Sequence, residues 1–105
     1  MSNYYEPVEQ LDEFTKDMAR ALNCLKKDLE SIDMYNQRVC SSNSEDLKAV
    51  LANNRDEKIK HVCLTLEWLR RNSKEWEKEL KNYLFTQQPI AKSEGGLCWR
   101  PRKQD

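Results

Sequence analysis

The stretch "RDEKIKHVCLTLEWLRR", residues 55–71, holds the chain's one histidine, His61, three residues after Lys58. Helix positions three apart share a face. A carboxylate and an imidazole at that spacing are a common way for a helix to present two metal ligands. Here the carboxylate position is a lysine. A protonated ammonium has three hydrogens to donate and nothing with which to bind a cation. The spacing therefore admits three readings: a metal site, a metal site lost or rebuilt around a lysine, or an ordinary helix with one histidine in it.

Other chemistries find little footing. The four cysteines, Cys24, Cys40, Cys63 and Cys98, form no C-x-x-C pair, so neither a zinc knuckle nor a disulfide framework is supported, and free thiols are expected in a reducing compartment. A single histidine with unrelated cysteine spacing gives no nucleophile–base arrangement. The 18 basic and 18 acidic side chains cancel. No broad nucleic-acid surface is implied, and no basic aromatic platform exists. No apolar run approaches membrane-spanning length, and "MSNYYEPVEQ" lacks a signal-peptide pattern, so no membrane partner and a cytoplasmic location are expected.

The elements that must position these residues are helical. Two glycines and three prolines in 105 residues, with 34% charged side chains, point to long helices rather than a turn-rich sheet. Residues 1–7 read as an arm ending at Pro7. From Val8 to Val39 apolar residues recur at helical spacing through Leu11, Phe14, Met18, Leu22, Leu25, Leu29, Ile32 and Tyr35, a helix of roughly 30 residues, or about 45 Å. "CSSNSED" breaks it, and Ser42 with Glu45 reads as a capping box for a second helix running to about Arg71. Asn72 with Glu75 reads as the cap of a short third helix through Trp76, Leu80, Tyr83 and Leu84, closed by Pro89. Residues 8–90 are thus one helical domain. Residues 91–105, "AKSEGGLCWRPRKQD", read as a flexible tail jointed at Gly95 and Gly96.

A two-helix hairpin has one contact seam and buries too little surface to stand alone. The expected remedy is an all-α four-helix bundle completed by a two-fold dimer of hairpins, either free-standing or built into a larger ring. Counting about 100° per residue, Lys58 falls at the centre of the helix-two stripe of Leu47, Leu51, Thr65 and Leu69, with His61 on one flank. Asp28 falls within the helix-one stripe of Leu25, Leu29 and Ile32, whereas Glu30 and Glu57 point away. An acid, a base and a histidine are therefore aimed at the seam. A stripe also breaks where solvent enters, and a long lysine can snorkel, so pattern alone leaves a packing reading beside a cation-site reading.

"YYEPVEQL", "IDMYNQRV", "NRDEKIKHVCLTLEWLRRN" and "NYLFTQQPI" resemble, in order and without gaps, the encapsulated ferritins, ferritin-like proteins housed inside encapsulin shells. The resemblance covers roughly residues 4–90, and the block around "TLEWLRRN" is its most specific part. It implies a subunit built as an antiparallel two-helix hairpin with a short third helix, pairing into a four-helix bundle, with five dimers in an open ring. It implies ferroxidation: two Fe(II) ions bound at the dimer two-fold, oxidised by dioxygen and passed on for mineral storage.

In such proteins each subunit supplies a Glu on helix one and a Glu-x-x-His on helix two. Carried over, the histidine is His61 and the helix-one Glu falls on Asp28, one methylene shorter. The bridging Glu falls on Lys58. An acidic position at the mouth of the site is kept as Glu30, its neighbour has become Lys27, a tryptophan beside the site is replaced by Met34, and Tyr35 is retained. Two bridging carboxylates per dimer would become two ammoniums, so a normal di-iron centre should not form. Lys58 and Asp28 should instead pair, since a buried lysine without a partner costs several kcal/mol.

The resemblance also implies a shell-docking extension. "GGLCWRPRKQD" has its general character, a glycine joint, then Leu97, Cys98 and Trp99, then basic residues; a solvated tail is the plain alternative. The functional expectation is an iron-handling, encapsulin-cargo oligomer with an altered metal site, either alone or mixed with a catalytic paralogue. The alternatives are an active ferroxidase using Asp28, Glu30 and His61, and a purely structural helical oligomer.

Overall fold

The computed structural model describes residues 4–91. A 3₁₀ turn at Val8–Gln10 precedes three helices, α1 (Glu13–Ser41), α2 (Glu45–Asn72) and α3 (Lys74–Tyr83), and the described residues contain no strand. The all-helical class and the order of two long helices and a short one match the sequence reading.

The helix starts differ from it, and each difference has a local cause. α1 begins at Glu13, because the Asp12 carboxylate accepts the Thr15 N–H at 2.7 Å. An aspartate there satisfies one of the first-turn donors that a helix leaves unpaired. Val8–Gln10 is set apart by extended Leu11. α2 is capped by Ser44, whose Oγ accepts the Leu47 N–H at 3.2 Å, and not by Ser42. Ser42 is already engaged: its own N–H closes α1 on the Arg38 carbonyl and its Oγ accepts the Ser44 N–H. α3 is capped by Ser73, with the Trp76 N–H on its Oγ at 3.3 Å. Asn72 stays helical and its side-chain amide donates to the Trp68 carbonyl.

The three residues between α1 and α2 force the helices back to back. Asp28 meets Lys58, and Asn36 meets Arg55; the partner number falls as the α1 number rises, so the pair is antiparallel. Ser73 alone joins α2 to α3, in an extended conformation that bends the chain. Arg70 fastens the bend by donating to both Glu67 oxygens at 2.7 Å and to Glu77 at 3.2 Å. Arg71 adds a second donor to Glu67 at 2.6 Å, and Lys81 pairs with Glu77 at 3.0 Å.

The covered interior is small. Leu69 is the one fully buried side chain among the described residues, while Phe14, Leu29, Val50 and Leu64 are about half exposed or more. Val50, Leu64 and Trp68 stand 14 and four residues apart along α2, which sets them on one lengthwise line on the flank of the α1–α2 seam. α3 ends at Tyr83, and Phe85 just beyond it takes φ 58°. That left-handed geometry costs a residue with a Cβ roughly 1–2 kcal/mol, which is why glycine usually occupies it.

Candidate functional site

The middle of the seam is built by two turns that face each other. Asp28 lies on the inner face of α1, its side chain 16% exposed; Lys58 lies opposite on α2, 35% exposed. Lys58 Nζ stands 3.7 Å from Asp28 Oδ1. That is an ion-pair separation, longer than a hydrogen bond, so the contact is electrostatic. Two turns further along α1, Arg55 reaches across to Asn36 Oδ1 at 3.0 Å while also meeting Asp56. The helix-two residues at 55 and 58 therefore form a cationic strip along the inner face, matched on α1 by one acid and one amide.

The other candidates lie outside this contact. His61 is exposed; its backbone carbonyl accepts the Thr65 hydroxyl at 3.1 Å. Glu30 and Lys27 are exposed on the outer side of α1, and Glu57 is exposed on α2. Met34 is on the surface and Tyr35 half-buried. The fold thus brings Asp28 and Lys58 together and leaves His61 and Glu30 apart from them within one chain. Among the described residues, no three His, Cys, Asp or Glu side chains gather to hold a metal ion. The donor chemistry at the seam is the reverse of a cation cage: the position facing Asp28 carries a positive charge of its own.

Two features escaped the sequence reading. The Arg55–Asn36 bridge had a visible signal, because Arg55 is one turn from Lys58 on the same face. The Glu67, Arg70, Arg71, Glu77 and Lys81 network was visible only in its i,i+3 and i,i+4 parts. Within it, the hydrogen bonds from Arg70 and then Arg71 pull Glu67 down to a pKa of about 2.

The profile of the EncFtn-like family matches residues 3–87. The chain belongs to that family. A ferritin-like protein from Thermotoga maritima is 44% identical over 91 residues, 87% of this chain and 80% of the relative. An encapsulated ferritin-like protein from Rhodospirillum rubrum is 47% identical over 87 residues, 83% of this chain but 62% of the relative, so the chain spans less than two thirds of that protein. A crystal structure of a Nitrosomonas europaea protein superposes with a TM-score of 0.83 at 48% identity, covering 87% of this chain and 100% of that one. The encapsulated ferritin resemblance is therefore a family membership.

Proposed function

We propose that this chain is the subunit of an encapsulated-ferritin-type oligomer, a two-fold dimer completing a four-helix bundle within a ring, whose di-iron ferroxidase site has been replaced by an ion pair. The observation that carries this reading is the 3.7 Å separation of Lys58 Nζ and Asp28 Oδ1, at the positions where the family resemblance puts a bridging Glu and the helix-one Glu. Iron would be substrate here, and the residues do not fit it. A bridging carboxylate offers two anionic oxygens to two cations. Lys58 offers an ammonium that repels any cation sharing Asp28, with an energy that grows as the assembly excludes water.

What remains is a scaffold role. The half-exposed apolar line on α2 and the small covered interior support assembly with further chains, and the name of the Rhodospirillum relative supports a place inside an encapsulin shell in the cytoplasm. No helix among the described residues is long and apolar enough to cross a membrane. The proposed tail peptide with Leu97, Cys98 and Trp99 lies outside the described residues. A paralogue that keeps both acids is a natural companion, because its carboxylate would face Lys58 across a mixed bundle.

The deciding experiment is anaerobic Fe(II) binding, as metal per subunit, followed by the oxidation rate on admitting air, for the wild type and Lys58→Glu. Little binding by the wild type with gain in the variant supports the replaced site. Equal binding and rapid oxidation in both would make the chain a working ferroxidase through Asp28, Glu30 and His61.

A further inference from the structure

We draw no further inference here: the strongest candidate, the mostly apolar groove between α2 and the end of α3 lined by Cys63, Leu66, Leu80, Leu84 and Phe85, carries nothing, because nothing among the described residues shows what covers it and a second copy seated there would restate the assembly already proposed.

Discussion

Lys58 and Asp28 meet at 3.7 Å across the seam, and the acid is the more covered of the two, 16% against 35% exposed. That difference sets what each deletion does. Removing the lysine strands a covered carboxylate; removing the aspartate leaves an ammonium that can still reach water. Lys58→Ala should therefore destabilise more than Asp28→Ala. The loss is about 1 kcal/mol in an isolated hairpin, where water screens the pair, and about 3 kcal/mol where an assembled bundle closes over it. Urea melts of both variants at low and high protein concentration check the order and its concentration dependence. Equal and negligible losses would remove the pair from any stabilising role.

The α2–α3 bend should loosen in acid. Glu67 has its pKa lowered to about 2, chiefly by the Arg70 hydrogen bond and then by Arg71. The unfolded chain takes up this proton near the ordinary carboxylate pKa of about 4.3. Its stabilising contribution is thus complete above that value, declines as pH falls below it, and is gone once pH has passed through about 2. Glu77, lowered mainly by its Lys81 hydrogen bond, acts in the same direction. Fluorescence of Trp76 across that window should change in the wild type and less in Glu67→Gln. The same transition in both would locate it elsewhere.

Ser73 is the sole residue between α2 and α3, and its hydroxyl holds the Trp76 N–H. Ser73→Ala should cost about 1 kcal/mol and free α3 from its angle. Ser42→Ala should cost less, since Ser44 and not Ser42 caps α2. Thermal melts of the two variants reverse that order if the capping box at Ser42 is the one that matters.

Much of this was legible in the chain. The Asp28–Lys58 meeting follows from long apolar stripes, because a 3.6-residue period held over many turns fixes direction well. The helix starts were less legible. In "CSSNS" and "RRNSK" adjacent Ser and Asn residues compete for one cap, and the winner depends on which hydroxyl the preceding helix has already used. Phe85 carried no signal at all, since its type argues against a left-handed cap. The Arg70–Glu77 contact depends on the angle at one residue, Ser73, which no periodicity encodes.

The apolar line on the flank of α2 bears on assembly. Val50, Leu64 and Trp68 are about a third to three fifths exposed, too much apolar surface on one line for a chain with a single fully buried leucine among its described residues. Leu64→Glu should drive the protein toward smaller species by native mass spectrometry while the helical signal persists. The wild type should be even-numbered, and a decamer if the ring holds. A wild type that is monomeric at micromolar concentration would defeat the bundle and, with it, any shared site.

Restoring the carboxylates should restore iron. Lys58→Glu recreates Glu-x-x-His with His61 and sets a second acid against Asp28. Without metal the like charges repel, so the variant should melt below the wild type. Binding that favours only the folded state adds RT ln(1 + [L]/Kd), about 2.7 kcal/mol at a hundredfold excess over Kd, so Fe(II) should return the melting temperature toward or past the wild-type value. Asp28→Glu with Lys58→Glu should respond more strongly, since the longer side chain restores the reach of the helix-one ligand. Asp28→Glu alone should respond little, because the ammonium still occupies the seam. Melting temperature and Fe(II) oxidation rate across these four proteins separate charge from reach. If the wild type oxidises iron as fast as the double variant, Lys58 does not block the site, and the active-ferroxidase reading takes its place.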